Sequence, residues 1–354
     1  MERSSGRGAF AGDEPPGGHG AESMSRALGV ALTWAGVLLY RLGLGSAWIH
    51  WRRHDVRVVL YHACGDQESD FIAGLGSNTR LAEFARHLDF FARHYAVIGM
   101  DQLARGHLPP RALVITFDDG YRSVHDVAAP LLRARGMTAT FFLVSDVVGN
   151  GALMWVNELN WMLRRHGAAA RPVLASLAGV DAGLPPRQIL LALRHRCPPS
   201  AITDAVAEVR RAAGIDSGAV AAEAALYLTW DQVEEMRGDG FTFGNHTNAH
   251  PSLPRLSADA QRRAIADAAP VLSANGCHAD WLAYPFGDCD ATSLRAAEAA
   301  GCTFALEVGG VPGPFNPRRV GRIPVEASSD AELFAQIEVV EPAKAWVRGL
   351  LRTS

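Results

Sequence analysis

The chain has 354 residues, enough for one large domain or two average ones, and its 48% hydrophobic and 20% charged content is that of a packed globular protein. A net charge of −3 gives no basic surface for nucleic acid. Five cysteines with no Cys-x-x-Cys pair argue against a disulfide framework or a Cys-rich zinc site and for buried free thiols.

Residues 1–23 are rich in Gly, Ser, Pro and Glu and read as a disordered tail. An apolar or amphipathic N-terminal helix is expected over 24–54. Its apolar run, Ala27 to Tyr40, is short of the ~20 residues a spanning helix needs, and no small-residue cleavage site follows it. Trp48 and Trp51 followed by Arg52, Arg53 and His54 form a flank suited to a membrane interface. Two readings stay open: peripheral membrane contact, or a helix packed on the main domain. The location is cytoplasmic or membrane-associated, with a cleaved export signal as the third choice.

A domain over 55–340 follows. Val56 to Tyr61 is a buried strand and Leu81 to Tyr95 an amphipathic helix. Ala96 to Met100 reads as a short strand and Ala112 to Phe117 as the next, after the Pro109-Pro110 break. A helix from Ser123 to Arg135 stops at Gly136, and Thr138 to Val144 is again a strand. This alternation implies parallel strands with right-handed crossovers. Residues 145–226 interrupt it with an Ala- and Arg-rich helical insertion, where Trp155 and Trp161 either pack on the barrel rim or stack on a sugar. The alternation then resumes: a Thr229-capped helix over Trp230 to Arg237, a strand over Phe241 to Gly244, and one long helix from Ser257 to Leu272. Next come a strand over Trp281 to Tyr284, a helix over Asp290 to Ala300, and strands over Thr303 to Val308 and Val320 to Val325. A C-terminal helix or tail covers 341–354.

Two segments carry the chemistry: Thr116-Phe117-Asp118-Asp119-Gly120 and His246-Thr247-Asn248-Ala249-His250. Each closes an apolar run, so both can project from strand ends into one cleft. Adjacent carboxylates repel, and a nearby cation relieves the repulsion. Asp before Gly is also a common helix cap, and two histidines four residues apart can simply lie on a surface. Taken together, the segments supply what a catalytic zinc site needs: two imidazoles and one carboxylate as ligands, open positions, and one carboxylate left over as a base. Gly244-Asn245 and Pro251 place the His pair on a turn, not a regular helix.

These segments resemble the first two motifs of the polysaccharide deacetylase family, carbohydrate esterase family 4, also called the NodB-homology domain. Ala283-Tyr284-Pro285-Phe286-Gly287 is similar to its third motif in one branch, and Val59-Leu60-Tyr61-His62 to the opening strand of that branch. The resemblance covers roughly 56–144 and 226–325. It implies an α/β fold, a distorted (β/α)7-type barrel with a helical insertion. It also implies a metal-dependent hydrolase removing N-acetyl groups from amino sugars of a polysaccharide or glycan. Asp119, His246 and His250 would bind a divalent metal, most often Zn2+, with Asp118 as general base and Tyr284, Pro285, Phe286 and Gly287 near substrate and oxyanion. Two departures stand out. Ala283 occupies the position of an Arg that orients the base, leaving Arg319 or Arg322 to substitute. No His follows His278, so the general acid is assigned to His62, whose rival reading is a buried barrel histidine. The alternatives are an O-acetyl esterase or small-amide hydrolase using the same site, and a catalytically silent glycan-binding homologue. The expected partner is an N-acetylated glycan.

Overall fold

The computed structural model describes residues 19–106, 108–309 and 316–352. Ten strands occur among them: β1 (Arg57–Tyr61), β2 (Ala63–Cys64), β3 (Asn78–Thr79), β4 (Ala96–Ile98), β5 (Ala112–Phe117), β6 (Thr140–Leu143), β7 (Thr242–Asn245), β8 (His278–Ala283), β9 (Phe304–Val308) and β10 (Val320–Pro324). Seven of them close a parallel barrel in the order β1-β5-β6-β7-β8-β9-β10, with β10 returning to β1 through Val59 opposite Ile323. The strand β4 is the irregularity. It pairs with the first half of β5, Ala96 opposite Ala112, while β6 pairs with the last residues, Phe117 opposite Phe141. One side of β5 is therefore served by two strands at different heights, which is the distortion of the barrel.

The strands read as almost continuous apolar runs because both of their faces are covered. Side chains alternate between the two. Val58, Val114, Phe142, Leu306 and Val320 fill the barrel interior. Val59, Leu113, Ile115, Phe117 and Phe243 pack outward against helices that contribute Phe84, Leu88, Phe91, Leu132 and Val233. Burial of each large side chain contributes roughly 1.5–3 kcal/mol. Gly244 is required by this packing: a Cβ there would lie 2.6 Å from the Phe142 ring and 2.9 Å from the Trp281 carbonyl oxygen.

The expected elements recur with four differences. Met100 begins a helix, Met100–Arg105, instead of ending the strand before it. The single helix expected from Ser257 to Leu272 is two, Ala258–Ala266 and Ala269–Ala274, because Pro270 cannot donate to the helix ladder and restarts it. The N-terminal segment is a hairpin, His19–Arg41 and Gly45–Trp51, whose apolar helices meet at 107° across a break at Leu42, Gly43 and Leu44. The disordered tail expected over 1–23 falls outside the described residues up to residue 18, and from His19 the backbone is helical.

The start-of-strand end of the barrel is sealed by an ion pair. Arg57, opening β1, donates to both carboxylate oxygens of buried Glu338 at 2.8 and 2.7 Å, and the Tyr95 hydroxyl donates at 2.7 Å. The other end carries the insertion. Its helices Trp155–Arg165, Gly167–Ala178, Pro186–Arg196 and Pro199–Ala213 share one apolar cluster with Ala63 of β2 and with Ile72 and Leu75 from the loop before β3, and a shorter helix, Ser217–Ala224, follows them. The insertion therefore forms a wall beside the barrel mouth.

Candidate active site

Asp118 and Asp119 leave the end of β5 in different directions. Asp118 continues the inward column of Val114 and Thr116, whereas Asp119 takes φ +72°. The His-x3-His segment follows β7 as an irregular loop. The Asn245 carboxamide oxygen accepts from the Thr247 N–H at 2.7 Å, and the Thr247 hydroxyl oxygen accepts from the His250 N–H at 3.1 Å. Thr247 and His250 adopt φ +68° and +56°, and Phe286 adopts +59°. Such conformations cost roughly 1–3 kcal/mol each and persist only where the surroundings impose them. Among the described residues, four of the seven non-glycine residues with positive φ lie in these three loops, so the strain is concentrated at the site.

The loops converge. Nε2 of His246 and of His250 stand 3.5 and 3.4 Å from the same Asp119 oxygen, Oδ1. One donor atom from each of the three residues lies within 4.8 Å of the others, and all three side chains are buried. Three tests favour a metal. Bonds of about 2.0–2.1 Å at a tetrahedral ion would place its ligand atoms roughly 3.3–3.4 Å apart. Asp119 Oδ1 accepts no hydrogen bond although fully buried, an arrangement that is costly without a cation. His246 Nδ1 is 2.7 Å from the Ala283 carbonyl oxygen, to which it donates, which turns the Nε2 lone pair toward Asp119.

Protonation at Asp119 and His250 is set to match. Burial pushes the Asp119 carboxyl up, but the adjoining His246 imidazole and the charges of His250 and His62 hold it well below the usual carboxylate range. Burial lowers His250 to about 3, so its imidazole is neutral. Burial also opposes protonation of His246, but the carboxylates of Asp118 and Asp119 outweigh it and raise that group. A deprotonated carboxylate beside a neutral imidazole is the form a divalent ion takes.

Asp118 has a different partner. Arg322 donates from Nη1 to Oδ1 at 2.6 Å and from Nη2 to Oδ2 at 2.7 Å, with both side chains buried. Burial raises the Asp118 carboxyl, but the Arg322 charge, His246 and the paired hydrogen bonds carry it below its ordinary value. Asp118 Oδ2 lies 3.7 Å from His246 Nε2, so this carboxylate stands next to the triad without joining it. Arg322 occupies the inward face of β10, two residues after Val320, and its guanidinium lies 5.6 Å from the Phe142 ring centre. Arg319 instead pairs with Glu307 at 2.9 Å. The strand alternation was the available signal: Arg322 shares the face of Val320, and an arginine inside a barrel demands a buried anion.

Asp118, Asp119, His246 and His250 line a cavity of about 40 Å³ with His62, Leu60, Leu75, Ser77, Val156, Phe286, Gly287 and Val308. His62 is half-buried in its wall, and its ring makes no hydrogen bond among the described residues. That placement differs from a histidine bonded within the barrel core. Tyr284 and Pro285 do not line the cavity. Tyr284 is buried among Leu253, Ile265 and Leu282, and its hydroxyl donates to the Arg318 carbonyl oxygen at 3.3 Å. It follows β8 on the outward side, where the alternation directs it away from the mouth.

The insertion supplies contacts that the sequence did not reveal. The Trp155 indole donates to the His250 carbonyl oxygen at 3.1 Å. Arg194 is buried with its guanidinium 4.3 Å from the Phe286 ring centre, and it donates to Asp288 at 2.5 Å. Trp155 thus packs on the rim and braces the His250 loop, while Trp161 stacks on Phe71 of the loop between β2 and β3, ring centres 5.7 Å apart. Neither contact has a local signature, because each joins positions about 95 residues apart.

Residues 105–305 match the family described as polysaccharide deacetylase. This chain belongs to the polysaccharide deacetylase family. Its members are hydrolases of the carbon–nitrogen bond in acetylated sugars, and the chain is a hydrolase of that class. Solved structures of similar fold include the Streptococcus pyogenes deacetylase PplD in complex with acetate, at 17% identity and TM-score 0.55, covering 80% of this chain and 97% of that one. IcaB from Ammonifex degensii is similar at 18% identity and TM-score 0.51, with 80% and 97% covered. BC0361, a polysaccharide deacetylase from Bacillus cereus, is similar at 16% identity and TM-score 0.51, with 80% and 68% covered. No curated protein sequence matches the chain.

Proposed function

We propose that the chain is a metal-dependent N-deacetylase acting on acetylated amino sugars within a polysaccharide or glycan. The observation that carries this reading is the division of labour at one cavity. Asp119, His246 and His250 converge as a ligand set, while Asp118, a second carboxylate, is held apart from it by Arg322. A binding protein has no use for a spare oriented carboxylate. The Arg322 pair also fills the position that Ala283 leaves vacant, which removes one reason to read the chain as catalytically silent.

Asp119, His246 and His250 would hold a divalent ion, zinc by the donor set, and when bound it would supply Lewis-acid activation of the acetyl carbonyl and of water. Asp118 is the base that accepts the water proton, and Arg322 fixes its plane and keeps it ionised. The turn at Phe286 offers backbone N–H to the oxygen on which charge develops. His62 is the group in reach to protonate the departing amine. The cavity fits this assignment: about 40 Å³ is a few times the roughly 10–15 Å³ a single water needs on that measure, enough for an acetyl group but not a sugar ring. The ring would stay at the mouth, against the insertion wall.

The test is metal analysis of the purified protein together with acetate release from chitooligosaccharide and from acetylated xylan. Acetate from the first substrate, lost on chelation and restored by zinc, is expected. Asp118→Asn should keep the metal and lose turnover, whereas His250→Ala should lose both. Release from xylan alone would reassign the enzyme to O-acetyl esters, and metal-free protein without acetate release would remove the proposal.

A further inference from the structure

The N-terminal hairpin has two unlike faces. One is committed to the domain: Gly36 packs so closely that a Cβ would meet that of Ala335 at 2.6 Å, and the Tyr40 ring lies 5.5 Å from Phe334 and 6.0 Å from Phe90. Val37 and Ile49 are buried on the same side. The opposite face is apolar and bare. Val30, Trp34 and Leu38 recur at helical spacing along the first helix, followed by Leu42 and Leu44 at the break and then Trp51 on the second. Trp34 and Trp51 are 68% and 70% exposed. Among the described residues, most exposed large hydrophobic side chains belong to this one segment. Soluble proteins scatter such residues, and a contiguous stripe marks a surface with a partner.

The charge pattern identifies the partner. Between Glu22 and Asp55 the sequence holds Arg26, Arg41, Arg52 and Arg53 and no acidic residue, in a chain whose net charge is −3. Arg52 is spent on Asp55 and Glu338. Arg41, His50 and His54 are exposed on the hairpin, and Arg111 is exposed beside it, its N–H donating to the Arg53 carbonyl oxygen. An apolar stripe with two exposed tryptophans and a cationic border is complementary to an anionic lipid surface, with rings at headgroup level and arginines on phosphates. No single described helix is long and apolar enough to cross a membrane, and the face held by Ala335 and Phe334 is not available to lipid. The bent pair together has the length and composition of a span, but the face packed through Gly36 and Tyr40 favours a seat in the interface.

We propose that the exposed face of this hairpin seats the enzyme on an anionic phospholipid surface. The elbow sits at the end of the barrel where strands begin, next to Arg57 and Arg111, and the catalytic cavity opens at the end where they finish. Seated this way, the enzyme keeps its mouth clear of the lipid for a polymer alongside the membrane.

The experiment is flotation of the full chain with phosphatidylcholine vesicles, with or without phosphatidylglycerol. Binding to the anionic vesicles is expected, at least about tenfold weaker to neutral ones and weakened by salt. Trp34→Ser with Leu38→Ser should lower partition at least about tenfold while leaving the thermal midpoint and metal content unchanged. A monomeric protein that binds neither vesicle overturns the proposal. So does a wild-type dimer by light scattering that the same double substitution converts to monomer, since a second copy would then cover the face. Equal binding to both vesicles removes its anionic half. None of these outcomes depends on the deacetylase reading.

Discussion

Replacing Arg322 with Met tests the link between fold and base. The change keeps side-chain volume and apolar packing against Phe142 but removes the fork on Asp118. Two N–O contacts of 2.6 and 2.7 Å place the charge centres roughly 4 Å apart, an attraction of about 4 kcal/mol at an effective dielectric of about 20. Leaving one buried charge without its partner typically costs about 3–5 kcal/mol, so a urea-stability loss of that order is expected. The pH signature follows from the sign of the Asp118 shift. In the wild type its carboxyl titrates below the ordinary value, so the pair's stability is present above the unfolded carboxylate pKa and is lost as pH falls through the folded one. Without Arg322, burial dominates and raises the carboxyl, so the acid limb of kcat/KM should move to higher pH. Turnover should fall about 10²–10⁴-fold with KM little changed, as for loss of a positioned base. Arg322→Lys, keeping charge without the planar fork, should fall between. The assays are acetate release across pH and urea unfolding of Arg322→Met, Asp118→Asn and the double variant. Turnover within about threefold of wild type and an unmoved acid limb would refute the reasoning, as would additive losses in the double variant.

Other outcomes test the remaining site and its frame. His62→Ala should retain metal and lose about 10²–10⁴-fold in turnover, and near-normal turnover would remove it as the general acid. Trp155→Phe deletes the donor to the His250 carbonyl, so chelator competition should show metal affinity about 10–100-fold weaker; unchanged affinity would make Trp155 mere packing. Burial lowers His87, whose ring bridges the Tyr61 hydroxyl and the Ala327 carbonyl oxygen, from 6.5 to about 4. The unfolded chain binds this proton first, so stability should be full above about pH 6.5 and decline toward pH 4. The decline is capped at about 3 kcal/mol, from about 1.36 kcal/mol per pH unit. His87→Gln should flatten that limb of a urea titration, and an unaltered limb would assign it to other groups.

The strands and the motifs were legible in the sequence because their causes are local. A run such as Ala112 to Phe117 must be buried, and Asp118-Asp119 and His246-x3-His250 sit where such runs end. Pro270 lies inside the helix expected from Ser257 to Leu272 and divides it, a break whose cause is equally local. The choice between Arg319 and Arg322 was tertiary. Both precede Ile323-Pro324; strand alternation puts them on opposite faces, and barrel closure against β1 brings the face of Arg322 to Asp118 and leaves Arg319 to Glu307. Tyr284 shows the same limit, since it lies inside the third motif and yet points away from the mouth. The sequence alone determined which groups are present and that each of the two motif segments ends a strand. The tertiary structure decided their company: which carboxylate meets two imidazoles, which meets an arginine, and that the insertion braces His250 and Phe286. The reason is physical, because hydrophobic patterning specifies a face along each element, whereas a contact across about 100 or 200 residues depends on how separate faces pack together.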